Sequence, residues 1–366
     1  MTSAPIERMA SVLTKYSLAL RPGELFLLQF EPAALPLARA VFRCALAHGA
    51  HPRAETLHPG LAEDLLRHGS DEQLEHVSEL DRLPVEQVDA RLNVRAPENL
   101  AALGSVPAER LARHARARRP LFDRVLERRS RGELRTTLTQ YPTEASAQQA
   151  GMSLEEYETF IFNACLLDRD DPVAAWRELS AGQQRYVELL DGVRELHFEA
   201  AGTDLRLSVA GRSWVNSDGR ANFPSGEVFT GPVEDSAEGR VKFDVPAFHL
   251  GRQVEDVVLE FRAGRVVGAT AARGENLLRS RLETDDGASR LGEVAFGLNY
   301  GISRPTGNIL FDEKIGGTIH LALGAGYPDT GSANRSAIHW DLIRTMSPGR
   351  VRADGRVIYE DGRFTT

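Results

Sequence analysis

Three short stretches of the chain set groups that bind metals or protons among very small neighbours. They are GEVAFGLN (Gly292–Asn299), TIHLALG (Thr318–Gly324) and SAIHWDLI (Ser336–Ile343). Side chains of an extended segment alternate between two faces. In the first stretch Glu293, Ala295 and Gly297 then share one side, opposite Val294, Phe296 and Leu298. In the second, Thr318, His320, Ala322 and Gly324 oppose Ile319, Leu321 and Leu323. In the third, Ala337, His339 and Asp341 oppose Ile338, Trp340 and Leu342. Each stretch has one apolar face to bury. Large side chains on the other face would fill the space a substrate or ion needs. The donors there are carboxylate and imidazole without thiolate, which suits Zn, Co or Mn better than a cysteine-built structural zinc site. More than one carboxylate allows two neighbouring ions bridged by one of them. Taken singly, a His-x-Asp is more often a structural hydrogen-bonded pair, and a Glu after Gly a surface residue. The repetition is what favours a metal site. H-E-x-x-H and G-x-S-x-G are absent, so neither a zincin helix nor a serine-hydrolase elbow has support. The other histidines are scattered and read as surface or core residues.

These strands need a scaffold, and the glycines hint at its limits. Of 32 glycines, 9 lie in residues 1–192 and 23 after them. The first part is rich in Ala, Leu, Arg and Glu and favours helices. The second has short apolar runs broken by Gly, which favours strands and turns. The expected organisation is an α/β N-terminal domain over residues 1–190 with a mainly parallel sheet, and a β-rich α+β metal-binding domain over 191–366. In the first, Glu24–Phe30, Ala90–Ala96 and Leu134–Tyr141 read as strands, and Ala33–Gly49 as a helix. Ser153 and Glu156 have capping-box spacing, and Pro172 opens a further helix. No G-x-G-x-x-G follows the first strand, which leaves a dinucleotide site without support. In the second part a strand pair should turn at Ala201–Gly202 and a hairpin at Ala263–Gly264, with ENLLRSRLET helical. The net charge of −8 argues against a nucleic-acid surface. No apolar run is long enough for a membrane span, and the start lacks a signal-peptide core. Two isolated cysteines, Cys44 and Cys165, fit a reducing cytoplasm.

Longer motifs carry a family resemblance. Phe223–Asp244, Thr284–Asn299, Ile309–Pro328 and Asn334–Ile343 together resemble the thermophilic-type metallo-aminopeptidases, the group of aminopeptidases T and S. The first part matches more loosely, around RPGELFLLQFEPAALPLARAVFRCALAHGA. The resemblance implies a metal set of Glu227, Glu293, Glu313, His320, His339 and Asp341, with Glu293 between two divalent ions. It implies Tyr327 as an active-site tyrosine. Glu227 rests on the resemblance alone, since Phe229 would share its face. The implied reaction removes the N-terminal residue of a peptide with a free N-terminus by two-metal-activated water. Glu293 would shuttle the proton and Tyr327 would donate to the oxyanion. The resemblance also implies a homodimer. Asp312 and Lys314 read either as partners orienting the ligands or as a salt-linked turn. Arg335 reads as a surface charge more often than as a substrate contact. Two rival readings use the same ligands: an amidase or esterase acting on a small non-peptide substrate, and a metal-binding homologue without catalysis.

Overall fold

A computed structural model describes residues 3–249 and 251–365. The chain divides into two compact units. One comprises residues 1–176 with 219–223, the other residues 177–218 with 224–366. The helix opened by Pro172 runs unbroken to Leu190, so the division at 176 falls inside it.

The first unit holds a parallel sheet in the order His51–Thr56, Leu25–Phe30, Ala90–Arg95, Arg135–Gln140, Asn222–Phe223. Its three inner strands are those expected from the sequence, at Glu24–Phe30, Ala90–Ala96 and Leu134–Tyr141. The helix after the first strand spans Leu35–Ala47, and Gly49 follows it with φ +76. Ser153 and Glu156 form the capping box, with Ser153 Oγ accepting from Glu156 N–H and Glu156 accepting from Ser153 N–H. His51–Thr56 lacks alternation and is mostly exposed, so its strand state comes from pairing with Leu25–Phe30 rather than from its own pattern.

The second unit is built mainly from two antiparallel sheets sharing one apolar core, with a further two-stranded antiparallel pair, Ala247–His249 and Arg252–Val254. The eight-stranded sheet runs Arg265–Thr270, Val258–Arg262, Glu238–Lys242, Thr203–Ser208, Glu195–Ala200, Gly349–Ala353, Arg356–Glu360, Arg363–Phe364. The strand pair turns at Ala201–Gly202. The hairpin turns at Ala263 and Gly264, whose φ values of 47 and 74 meet the demand of a tight two-residue turn for positive φ. The five-stranded sheet runs His339–Thr345, Thr318–Gly324, Leu291–Gly297, Glu227–Thr230, Val215–Ser217. Its apolar face packs Val294, Phe296, Ile319, Leu321, Trp340 and Leu342 into the core with Leu196, Phe198, Leu205 and Val351 of the larger sheet. The Phe296 ring lies 5.2 Å from that of Tyr359 and 6.5 Å from that of Phe198, which ties one sheet to the other.

Candidate metal centre

Strand register brings the donors together. Glu293 lies opposite Ala322, and Ala322 opposite Asp341. Ala295 faces His320, Gly297 faces Glu227, and Gly324 faces His339. Residues paired across antiparallel strands share a face, so every donor on these strands has a Gly or Ala beside it. The room for ions is therefore made by the sequence of the neighbouring strand. A bulge at Gly292 adjusts the Glu293 strand. Leu291 pairs with Leu323 in the core, yet Glu293, two residues on, pairs with Ala322 on the opposite face. The extra residue allows this switch. It must be small, because a Cβ on Gly292 would lie 2.3 Å from the Ala325 carbonyl oxygen.

The expected donors converge. Glu293 Oε1 is 3.1 Å from His320 Nε2, and Glu293 Oε2 is 3.5 Å from His339 Nε2. Its two oxygens thus address two different imidazoles. Glu227 Oε2 lies 3.7 Å from His320 Nε2, and Asp341 Oδ1 lies 3.4 Å from His339 Nε2. Three overlapping sets result: Glu227, Glu293 and His320; Glu293, His339 and Asp341; and Glu313, His320 and Asp341. Within each, the donor atoms lie within 4.8 Å of one another. Glu227, Glu293, His320 and Asp341 are buried, while His339 and Glu313 are half-buried.

Both imidazoles are oriented from behind. His320 Nδ1 donates to the Glu313 carbonyl at 2.9 Å, and His339 Nδ1 to the Ala325 carbonyl at 2.8 Å. A carbonyl only accepts, so Nδ1 carries hydrogen and Nε2 is the atom turned to the carboxylates. Burial opposes a charge on His320, but Glu293, Glu227 and Asp341 outweigh it and raise its pKa. Burial likewise opposes a charge on His339, and Asp341 and Glu293 push it up to about 10. Burial raises the Glu293 carboxyl. Asp341 is held below the usual carboxylate range, burial notwithstanding, by His339 and His320. A cation takes the place of such protons when it binds.

The flanking residues take distinct roles. Lys314 is fully buried, 3.6 Å from Glu227 Oε1, and pairs with Glu313. It is part of the cluster, and sequence alone leaves this open because ion pairing depends on the fold. Asp312 instead accepts hydrogen bonds from Thr306 N–H, Thr306 Oγ1 and Gly307 N–H, and so ties down its own loop. The Tyr327 ring is 5.2 Å from the His339 ring and 45% exposed. Arg335 is exposed. Glu234 and Asp285, which the motif reading passes over, anchor the loop before His339. Glu234 accepts from Ala333 N–H, and Asp285 from Ala337 N–H and Ser336 Oγ. Only distant pairing reveals them.

The donor set fits divalent cations. Glu227 Oε2 and Asp341 Oδ1 are buried and accept no hydrogen bond. A buried carboxylate oxygen without a hydrogen bond is unfavourable, and a cation supplies the direct partner both lack. Oxygen and imidazole donors suit Zn, Co and Mn alike.

Residues 2–364 match the thermophilic metalloprotease (M29) family. Aminopeptidase 2 of Geobacillus stearothermophilus is 29% identical, over 98% of this chain and 95% of its own length. Aminopeptidase T of Thermus thermophilus is 31% identical over 295 residues, 72% of this chain and 71% of its own. The solved structure of wild-type AmpT from Thermus thermophilus superposes with a TM-score of 0.86 at 25% identity, covering 99% of each chain. A family match of this extent, over strands that carry a cation-ready cluster, means that the chain belongs to the thermophilic metalloprotease (M29) family.

Proposed function

We propose that this chain removes the N-terminal residue from peptides with the six clustered side chains holding two divalent cations, Zn, Co or Mn. The chain is a metal-dependent aminopeptidase. Glu227, Glu293 and His320 form one position, and Glu293, His339 and Asp341 the other. Glu313 adds an oxygen beside His320 and Asp341. The observation that carries the reading is Glu293, with one oxygen toward each histidine, between two buried oxygens that have no hydrogen-bond partner.

When bound, the cations supply Lewis acidity that polarises a carbonyl and acidifies water. Glu293 takes the proton of the attacking water and returns it to the leaving amine. Tyr327 donates a hydrogen bond to the oxyanion, a charge absent from the substrate; losing such a donor typically lowers the rate by roughly 10²–10³. The carboxylates suit the positive α-amino group. Lys314 pairs with Glu227 and Glu313 and offsets part of their charge. We assign catalysis to the unit of residues 177–218 with 224–366, which carries all six candidate donors. We further propose a homodimer working in the cytoplasm. Among the described residues no helix is long and apolar enough to cross a membrane.

The test is metal-stripped protein reloaded with Co²⁺, Zn²⁺ or Mn²⁺ and given amino-acid p-nitroanilides beside their N-acetylated forms. The free-amine substrates should turn over and the blocked ones should not. Turnover of blocked substrates would point to an amidase or esterase. Bound metal with no turnover at all would point to a homologue without catalysis.

A further inference from the structure

Phe229 departs from the pattern of small residues on the donor face. It lies two residues beyond Glu227 on the same strand, and so on the same side. Register sets it opposite Ala295, which in turn faces His320, so Phe229, Ala295 and His320 form one row across three strands. Its side chain has no atom to offer a cation. What it meets is Tyr327: the two ring centroids are 5.4 Å apart, with planes tilted by 57°. The Tyr327 ring also meets the His339 imidazole, at 5.2 Å and 62°. Both are geometries in which aromatic rings attract. The backbone of Tyr327 is fixed separately, because its carbonyl accepts from Thr330 N–H at 3.0 Å and from Thr330 Oγ1 at 2.7 Å, and Thr330 is buried. Rotation of a side chain that is 45% exposed is the freedom that remains, and Phe229 acts on that rotation.

We infer that Phe229 is a positioning residue, whose ring holds Tyr327 beside His339 so that the phenol stands ready for the oxyanion. The inference rests on the reading of Tyr327 as that donor. A hydrogen-bond donor lowers the barrier only while it is aligned. An aromatic pair shifts the balance between aligned and displaced rings by roughly 2- to 13-fold.

The test uses the metal-loaded full chain and a double-mutant cycle on p-nitroanilide turnover. Phe229→Ala should lower kcat by roughly three- to tenfold and leave KM within about twofold. In a Tyr327→Phe background, where the hydroxyl is already gone, the same substitution should change kcat by less than about twofold. Phe229→Leu, which keeps bulk without a ring, should resemble Phe229→Ala, and Phe229→Tyr, which keeps the ring, should retain most of the rate. Calorimetric metal affinities should stay within about twofold throughout, since Phe229 ligates nothing. Equal losses of kcat in both backgrounds, or metal affinity that weakens in step with the rate, would overturn the inference. A readout independent of turnover is the crystal structure of the Phe229→Leu variant. The Tyr327 ring should leave its place beside His339 or occupy several positions, and a ring that keeps its single position overturns the inference. Absence of turnover in the natural chain removes the aminopeptidase reading, and the position of the Tyr327 ring then decides the role of Phe229 by itself.

Discussion

Glu293→Gln keeps the shape of the side chain and removes one negative charge from the centre of the cluster. In the metal-free protein Glu227, Glu293, Glu313 and Asp341 face the single ammonium of Lys314. Once cations have displaced the protons of His320 and His339, the ionised carboxylates, neutral imidazoles and Lys314 sum to a net charge of −3. Two divalent cations bring it to +1; after the substitution they would bring it to +2. A unit charge about 4 Å away is worth about 4 kcal/mol at an effective dielectric of 20. That amounts to roughly a thousandfold in affinity. The amide also offers only one oxygen, so one of the two imidazoles, at 3.1 and 3.5 Å, meets an NH₂ group in place of a carboxylate oxygen. We expect one cation to bind nearly as before and the second to weaken by roughly 10²–10³. The rate should fall by at least roughly 10², because a positioned proton carrier is lost as well. Titration calorimetry of stripped protein measures stoichiometry and affinities, p-nitroanilide turnover measures the rate, and circular dichroism checks the fold. Two cations bound with unchanged affinities, or full activity, would refute the bridging role of Glu293.

Three further outcomes follow from the same structure. Gly292→Ala places a Cβ 2.3 Å from the Ala325 and 2.4 Å from the Gly324 carbonyl oxygen; it should destabilise the stripped protein by about 1–3 kcal/mol in urea unfolding, and unchanged stability would contradict a tight bulge. Lys314→Met leaves the buried carboxylates without their ammonium and should destabilise the stripped protein by about 3–5 kcal/mol. Metal loading should recover much of that loss, and equal losses with and without metal would argue against charge compensation. Away from the site, Arg350, at 2.7 Å, and Arg352, at 2.8 Å, hold Glu199 at a pKa of about 2 against its ordinary 4.5. The folded pKa is the lower one, so its contribution to stability is present above pH 4.5 and is lost as pH falls toward 2. Glu199→Gln should flatten the fall in melting temperature across that window, and an unchanged slope would remove Glu199 as its source.

The strands of the site sheet were readable from alternation because each has one apolar face and one face of small residues. That pattern identifies Glu293, His320 and Asp341 as sharing a kind of surface, but it says nothing about which strands adjoin. Glu227 shows the limit. Phe229 shares its side, and only the pairing of Glu227 with Gly297 sets it among the other donors. Gly292 shows another, since strict alternation would put Leu291 and Glu293 on one face and the bulge separates them. Lys314 follows Glu313 directly and looks like any charged turn residue until the fold buries it. In the parallel sheet the apolar run Leu25–Phe30 and the alternating Ala90–Arg95 are legible as strands. The polar edge strand His51–Thr56 and the two-residue strand Asn222–Phe223 exist through their partners, Leu25–Phe30 and Arg135–Gln140. The latter pairing also draws residues 219–223 into the first unit, which no local pattern foretells.

The most direct test of the paired-cation centre is a crystal structure of stripped protein soaked in Co²⁺ or Zn²⁺, with anomalous difference maps collected at the metal's absorption edge. We expect two peaks flanking Glu293, one bounded by Glu227 and His320 and the other by His339 and Asp341. A single peak away from Glu293, or no peak within reach of these side chains, would contradict it.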